Sequence, residues 1–219
     1  MKRRRSEDPD GHSDYRILGY DAAGIVVAVG REVSLFKPGD SVFYAGAMNR
    51  PGANAEYHAV DERIVGRIPG SLTSAEAAAH LHYDVGDLVG PEVKAIGFES
   101  VDYVAAITTT ARSGPDIARA TNPQGHVTLI DNFDDSIAPF KPKSITISWA
   151  MMLTRSLFET ADTDAQHRLL TEVSALVDAG VLRTTLSQAS GPINAENLRK
   201  AHETVESGRA IGKIVLEGF

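Results

Sequence analysis

The stretch that decides the fold is ILGYDAAGIVVAVG, residues 17–30. Its second half, Gly24 to Gly30, is apolar, rich in β-branched side chains and bounded by glycine, a pattern that predicts a buried strand. One polar pair, Tyr20 and Asp21, stands just before that strand. A phenol and a carboxylate at this point suit a metal site, a catalytic site or a turn.

Composition narrows the class of protein. The chain has 219 residues, 42% of them hydrophobic, and a net charge of -7. This length and apolar content predict one large or two small globular domains that fold around a hydrophobic core. The acidic balance argues against nucleic acid as a partner. The basic run Lys2 to Arg5 is followed at once by three acidic residues, Glu7, Asp8 and Asp10, and we interpret it as a solvated tail.

The cysteine count and the apolar runs exclude further classes. With no cysteine, the chain has no disulfide, no thiolate zinc site and no cysteine nucleophile. No apolar stretch approaches the roughly 20 residues that cross a bilayer, so we expect a soluble, cytoplasmic protein with no membrane partner. The motifs G-x-S-x-G, H-E-x-x-H and the P-loop are absent. His80-Leu81-His82 offers two imidazoles but no evident third metal ligand.

The pattern along the chain predicts a β-rich first block and a mixed second block. Lys37-Pro38-Gly39-Asp40 predicts a turn. Thr73 to Glu76 forms a capping box that opens a helix reaching about His80. Almost continuous apolar runs later in the chain predict parallel strands covered on both faces. Lys143 to Trp149 alternates, which suits a strand at a sheet edge or one buried on a single face. The predicted strands are Gly24 to Gly30, Ser41 to Ala45, Glu56 to Ile68, Val101 to Ile107, His126 to Asp131, Lys143 to Trp149 and Gly212 to Gly218. The further predicted helices are Ser113 to Ala120, Thr163 to Ala179 with Gly180 as its cap, and one that begins at Asn194.

Four motifs carry a resemblance to a known family. They are LGYDAAGIVVAVG (18–30), FKPGDSVFYAG (36–46), NAEYHAVDE (54–62) and LRKAHETVESGRAIGKIVLEGF (198–219). In this order they resemble the medium-chain dehydrogenase/reductase superfamily, in particular its quinone oxidoreductase-like branch, often called zinc-type alcohol dehydrogenase-like. The resemblance implies an α/β fold with a partial GroES-like β-barrel domain (1–80), an incomplete Rossmann-type parallel sheet (81–160), and helices and strands that return to the first domain (161–219).

The resemblance also answers part of the question that Tyr20 and Asp21 raise. In zinc-dependent relatives the segment that corresponds to Gly19-Tyr20-Asp21 reads Gly-His-Glu, and its histidine binds the catalytic zinc. A phenol with a pKa near 10 is a poor zinc ligand, and no cysteine can complete the shell. The pair is therefore predicted not to bind metal. Two interpretations stay open: Tyr20 and Asp21 line a catalytic cleft, or they pack a turn.

The family's dinucleotide-binding turn is missing from this sequence. No G-x-G-x-x-G or near variant follows an apolar strand, and YDVGDLVGP (83–91) has the wrong spacing. Relative to the family, about 60 to 80 residues, or two βαβ units, are missing near His80, and the front of the first domain is short. We expect weak or absent NADPH binding. Because the neighbouring units are missing, we also expect an open apolar sheet edge and face at Val101 to Ile107 unless something else covers them, and hence lower stability or dependence on self-association.

Cofactor contacts can be carried over from the family only where this sequence matches it. The resemblance implies NADP(H) as the cofactor, and the residues that would approach it are Thr108, Thr109, Asp131 and Lys213. A strand-end turn and a surface lysine are the alternative interpretations of these threonines and of Lys213. The acceptor is a small molecule, and a homodimer is implied through Lys143 to Trp149, with Met151 and Met152 as core or interface residues.

Two functions follow from these observations. The first is an NAD(P)H-dependent oxidoreductase of the quinone or enone reductase type, independent of zinc. The second is a non-catalytic, shortened chain that serves as a binding or dimerisation module.

Overall fold

The computed structural model describes residues 17–79, 97–107, 110–134, 136–208, 210 and 212–218. The chain divides into two compact units, Met1–Tyr83 with Leu153–Phe219, and Asp84–Met152. In chain order the strands are β1 (Asp21–Ile25), β2 (Ser41–Ala45), β3 (Val65–Arg67), β4 (Val101–Ala106), β5 (Thr121–Leu129), β6 (Thr146–Trp149), β7 (Leu186–Ala189) and β8 (Lys213–Val215). The α-helices are α1 (Ser74–Ala79), α2 (Thr110–Ala120), α3 (Thr154–Leu157), α4 (Ala165–Asp178) and α5 (Ala195–Glu206), and two 3₁₀ helices cover Glu62–Ile64 and Ala138–Lys143.

The first unit contains an antiparallel sheet in the order β1-β2-β3. The predicted turn before β2 is confirmed: Gly39 has a φ of 94°, and the amide of Lys37 donates to the Asp40 carboxylate over 2.9 Å. Glycine suits this turn because other residues rarely adopt positive φ. Ser41 to Ala45 forms β2 as predicted, whereas Glu56 to Ile68 yields only a 3₁₀ turn and the short strand β3.

The buried strand predicted at Gly24 to Gly30 is wrong in place and in burial. The strand covers Asp21–Ile25, and Ile25 is 65% exposed. Strand β1 lies at the edge of the sheet among the described residues. Val26 packs against the core of Phe36, Val42, Tyr44 and Val65, but successive side chains of an extended chain point to opposite faces. Ile25 and Val27 therefore point away from that core.

Helix α4 covers the other face of this sheet. Gln166 Nε2 donates to the carbonyls of Ala45 and Ile64 over 2.9 and 3.1 Å, and Leu170 packs with Phe43 and Ala77. The helix ends as predicted, with Gly180 at a φ of 72°. The capping box of α1 and the Asn194 cap of α5 are confirmed by hydrogen bonds of 3.3 and 2.8 Å to the amides of Glu76 and Asn197.

The second unit contains a parallel sheet in the order β4-β5-β6. One face is buried by α2 and the second 3₁₀ helix, with Val127 and Leu129 packed against Ile117 and Phe140. The cover on both faces that the apolar pattern of β4 predicted is wrong, because Tyr103 is 78% exposed. The open edge and face expected at Val101 to Ile107 agree with this exposure and with the edge position of β4 in the described sheet. Tyr103 stacks on His126 with the ring centroids 5.4 Å apart. The edge position predicted for Lys143 to Trp149 is confirmed for β6 within the described sheet.

These elements confirm the α/β fold class. Residues of the described ranges form one small antiparallel sheet, one parallel sheet and the two-stranded parallel pair β7-β8, and they do not close a barrel. Within the same ranges, no helix combines the length and the apolar character needed to traverse a bilayer.

Candidate functional site

Tyr20 and Asp21 stand where the first sheet begins. Asp21 opens β1 and lies opposite Ala45 in β2. The carbonyl of Tyr20 accepts a 2.7 Å hydrogen bond from the amide of Gly46, and the Tyr20 side chain is exposed. The backbone of the pair is thus held by the sheet, while Tyr20 is partly exposed to solvent.

A loop, Gly46 to Asn54, is hydrogen-bonded through its backbone to the segment that carries this pair. Three of its amides, on Gly52, Ala53 and Asn54, each donate over 2.9 Å to the carbonyls of Ile17, Gly19 and Leu18 respectively. A methyl group placed on Gly52 would meet the Leu18 carbonyl and would lie 2.5 Å from the oxygen of Gly19. The two segments are therefore in backbone-to-backbone contact, which a larger residue than glycine at position 52 would disrupt.

Lys213, a predicted cofactor residue, lies beside the predicted catalytic Asp21. Its Nζ is 3.6 Å from Asp21 Oδ2, and its amide donates over 2.9 Å to the carbonyl of Thr185. Two residues that the sequence placed in different roles are thus an ion pair. The ammonium of Lys213 already has a carboxylate partner, so a cofactor phosphate would have to compete with Asp21 for it.

His58 is a residue of this region that sequence reasoning missed. Its Nδ1 lies 2.8 Å from the hydroxyl of Tyr44, and its Nε2 lies 2.9 Å from the carbonyl oxygen of Pro51. Both rings belong to motifs that carried the family resemblance, FKPGDSVFYAG and NAEYHAVDE. Their contact joins residues from two motifs, and no local periodicity predicts it.

The partners of His58 assign its tautomer. A carbonyl oxygen only accepts, so Nε2 carries a hydrogen and donates to Pro51. In the neutral ring Nδ1 then accepts from the Tyr44 hydroxyl. Burial raises the pKa of Tyr44 to about 12, because desolvation disfavours the phenolate. Tyr44 is therefore a neutral hydrogen-bond donor at physiological pH.

The remaining predicted residues fall elsewhere. Asp131 follows β5 in the second unit, next to Ile130, whose amide donates over 3.1 Å to the carbonyl of Ala106. Thr108 and Thr109 lie outside the described residues, as does the pair His80 and His82. The structure therefore brings together Tyr20, Asp21 and Lys213 within one unit and describes Asp131 in the other.

Within the part of the chain that the structure describes, neither a zinc shell nor a diphosphate cradle is evident. The chain has no cysteine, and no group of three or more metal-binding side chains forms in the described ranges. The connection from β4 to α2 spans residues 107–109, which read Ile-Thr-Thr and contain no glycine. Backbone amides of a glycine-rich turn normally hold the pyrophosphate at a helix N-terminus, so this connection does not fit a tightly bound dinucleotide.

A cavity of about 260 Å³ lies between the β7-β8 pair and α5. Its charged lining residue, Lys200, forms a 2.7 Å ion pair with Glu196. The remaining lining residues are Gln188, Ser190, Asn197, Ala201, Thr204 and Ile214. Because its ammonium is already neutralised, this cavity has no strong preference for a charged ligand.

Two family models match consecutive parts of the chain. The alcohol dehydrogenase GroES-like domain matches residues 4–75, and the zinc-binding dehydrogenase family matches residues 76–216. A zinc-type alcohol dehydrogenase-like protein of Staphylococcus aureus strain Mu50 is 29% identical over 275 residues, covering 92% of this chain and 82% of its own. A 2-methylene-furan-3-one reductase of Solanum lycopersicum is 28% identical over 249 residues, covering 91% of this chain and 63% of its own.

Solved structures agree with these matches. A Rhizobium etli CFN 42 protein assigned as a zinc-dependent alcohol dehydrogenase has 37% identity and a TM-score of 0.87, covering 98% of this chain and 86% of its own. Escherichia coli quinone oxidoreductase, solved with NADPH, shares the fold at 18% identity and a TM-score of 0.69, covering 91% of this chain and 81% of its own. With family models matched across residues 4–216, the chain belongs to the zinc-binding dehydrogenases with a GroES-like domain, the medium-chain dehydrogenase/reductase family of oxidoreductases.

Proposed function

We propose that this chain is a zinc-independent, NAD(P)H-dependent reductase of quinones or enones that holds its dinucleotide weakly. The observation that carries the proposal is the family match over residues 4–216 in a chain without cysteine. Family membership supports the oxidoreductase class and the nicotinamide cofactor. The residues of this chain support the two refinements, zinc independence and weak cofactor binding.

Zinc independence rests on the donor set. Catalytic zinc in proteins takes three protein ligands, usually His, Cys or a carboxylate. The chain has a tyrosine, Tyr20, at the position where zinc-dependent relatives have a histidine, and Asp21 beside it is paired with Lys213. A phenol, which binds zinc only after losing its proton, and a carboxylate already paired with an ammonium make a poor metal site.

The acceptor class rests on the relatives. Among them are a 2-methylene-furan-3-one reductase, a quinone oxidoreductase and the CurK enoyl reductase, whose names describe carbonyl-conjugated acceptors. Tyr20 is 37% exposed and directly precedes β1, and a phenol donates a hydrogen bond well to a carbonyl oxygen. We assign Tyr20 to binding the acceptor carbonyl and Asp21, through its pair with Lys213, to orienting this strand end. The alternative, that both only pack the turn, is decided by the experiment below.

Weak cofactor binding rests on the absent glycine turn. A chain of 219 residues takes part in an alignment of 275 positions with the Staphylococcus aureus relative, so the relative contains residues with no counterpart here. Several charge-assisted hydrogen bonds to the diphosphate, each of about 1.5 to 3 kcal/mol, are lost with the turn. This loss moves a micromolar site to about the millimolar range.

A homodimer through β6 is part of the proposal. Trp149 at the end of that strand is exposed, and so are Met151 and Met152 just after it. Exposed large apolar side chains at a sheet edge are typical of an interface. Sedimentation velocity over a range of concentrations measures this association, and Trp149→Glu is expected to shift a dimer to monomer.

Titration with NADPH, followed by nicotinamide fluorescence, tests the function. A saturable signal near millimolar concentration, together with slow oxidation of NADPH by 2-methyl-1,4-naphthoquinone, is the expected result. Tyr20→Phe should raise KM for the quinone, while Tyr57→Phe, another exposed tyrosine, should not. No saturation at millimolar NADPH contradicts the reductase and favours the second candidate, a non-catalytic binding or dimerisation module, which the missing turn supports.

A further inference from the structure

We propose that His58 is the positioning residue of the candidate site: it braces the loop Gly46 to Asn54, and the loop in turn holds Tyr20 and Asp21 in place. The relevance of this brace to acceptor binding rests on the proposed function. The brace itself is a property of the fold and is measurable without turnover.

The brace has two ends, both on the same ring. At one end the Tyr44 hydroxyl, on the buried side of β2, lies 2.8 Å from Nδ1. At the other end Nε2 donates over 2.9 Å to the carbonyl of Pro51, near the middle of the loop. A rigid imidazole with bonds at opposite nitrogens fixes the separation between strand and loop, which a flexible side chain would not.

The loop transmits this constraint to the segment before β1. Its amides at Gly52, Ala53 and Asn54 donate to three successive carbonyls, those of residues 17–19, and Gly46 donates to the carbonyl of Tyr20. Four consecutive carbonyls thus depend on the loop for their partners. The close approach at Gly52, 2.5 Å from an added methyl to Gly19 O, leaves little room for the loop to move without carrying residues 17–20 with it.

Loss of the ring affects both ends. The hydroxyl of Tyr44 is buried, and a buried polar group without its partner is destabilised by its lost hydrogen bond. The carbonyl of Pro51 turns to solvent, which leaves the loop connected mainly through the amides that contact residues 17–19. The expected consequence is local opening of the loop rather than unfolding of the unit, since α4 and the core around Phe43 do not contact His58 through any described hydrogen bond.

Amide hydrogen exchange on the full chain, read by NMR, tests the brace. In His58→Ala the amides of Gly52, Ala53 and Asn54 should exchange about tenfold faster, the factor expected for one to two lost hydrogen bonds. Amides of β5 should keep their rates. His202→Ala, on the surface helix α5, is the matched control and should leave all these rates unchanged. His58→Gln, which retains a donor and an acceptor, should restore part of the protection.

If the His58→Ala protein does not fold, a second variant tests the brace. Tyr44→Phe removes only one hydroxyl, and in it the ring nitrogens of His58 should change their ¹⁵N shifts because Nδ1 loses its donor. Unchanged loop exchange in folded His58→Ala, or unchanged ¹⁵N shifts in Tyr44→Phe, overturns the proposal.

Binding of 2-methyl-1,4-naphthoquinone, measured by saturation-transfer NMR, separates this proposal from the proposed function. If the wild-type chain binds the quinone, His58→Ala should weaken binding about tenfold and His58→Gln should recover it in part. If the wild-type chain does not bind the quinone, the proposed function fails. In that case the exchange and ¹⁵N results still decide whether His58 is the brace.

Discussion

Lys213 Nζ and Asp21 Oδ2 lie 3.6 Å apart, which joins the first residue of β8 to the first residue of β1. Their side chains are 31% and 24% exposed, so solvent screens the pair only in part. The contact places a C-terminal strand against the start of the first sheet. It also means that a lysine expected to approach a phosphate and an aspartate expected to face an acceptor are neighbours.

The ion pair should be worth little in stability but should show coupling. We expect Asp21→Asn and Lys213→Met each to lower the free energy of unfolding by about 0.5 to 1 kcal/mol, the range for partly exposed pairs. The double variant should lose no more than either single variant. Urea denaturation measures the cycle. Glu196→Gln with Lys200→Met, an exposed pair on α5, is the control and should show weaker coupling. Additive losses at Asp21 and Lys213 would show that the two do not interact.

Gly52 should tolerate no side chain. In Gly52→Ala the new methyl meets the backbone of Leu18 and Gly19, which cannot move as a flexible side chain can. We expect a loss of about 1 to 3 kcal/mol in the free energy of unfolding, as for overpacking. Gly24→Ala is the matched control, because an added methyl there has no atom within 4 Å. Its effect should stay within about 0.5 kcal/mol. Equal losses in both variants would contradict the close approach.

The buried phenol of Tyr44 should make the first unit sensitive to alkali. Burial raises its pKa to about 12, while an unfolded tyrosine titrates near 10. A raised folded-state pKa contributes stability that is fully present below pH about 10 and is lost as the pH rises towards 12. Tyr44→Phe should therefore flatten the fall in stability between these values, as followed by urea denaturation at each pH. Tyr57→Phe, whose ring is exposed, should leave the fall unchanged, and an unchanged curve in Tyr44→Phe would contradict the assignment.

Lys143 should act as a cap for helix α2. Its Nζ donates to the carbonyls of Ala118, Arg119 and Thr121 over 3.0, 2.8 and 2.7 Å. These carbonyls lie at or just beyond the end of the helix, where intrahelical partners are lacking and a cation is favoured. Lys143→Met should lower the free energy of unfolding by about 2 kcal/mol, consistent with lost charge-assisted hydrogen bonds. Lys141→Met, two residues earlier and exposed, is the control in a thermal melt. Matching melting temperatures for the two variants would rule out the cap.

Local signals predicted the elements whose causes are local. The turn at Gly39, the capping box at Thr73, the Asn194 cap and the helix end at Gly180 depend on residues within a few positions of each other, and all are confirmed. The burial of the apolar segments was harder to predict. Gly24 to Gly30 and Val101 to Ile107 contain enough apolar residues for burial on two faces, but burial depends on what packs against each face.

The contacts of the candidate site were not predicted from the sequence. Tyr20 and Asp21 were singled out by their place before a predicted strand and Lys213 by the family resemblance, and their roles in binding acceptor and cofactor are proposals. The pairing of Asp21 with Lys213 and the bridge from Tyr44 through His58 to Pro51 join distant positions. No spacing rule for helices or strands reaches across such separations, which is why the sequence alone did not predict them.

The packing of α4 on the first sheet has a consequence for synthesis of the chain on the ribosome. Phe43 is 0% exposed, and Leu170 of α4 packs against it. The side-chain amide of Gln166, also on α4, donates to the carbonyls of Ala45 and Ile64. A nascent chain presents β1, β2 and β3 before residues 165–178 have emerged, since translation proceeds from the N-terminus. Until α4 has emerged, the ring of Phe43 is exposed to water and to other chains. A chaperone would therefore find the largest exposed apolar surface on this sheet after β3 has been synthesised and before α4 has.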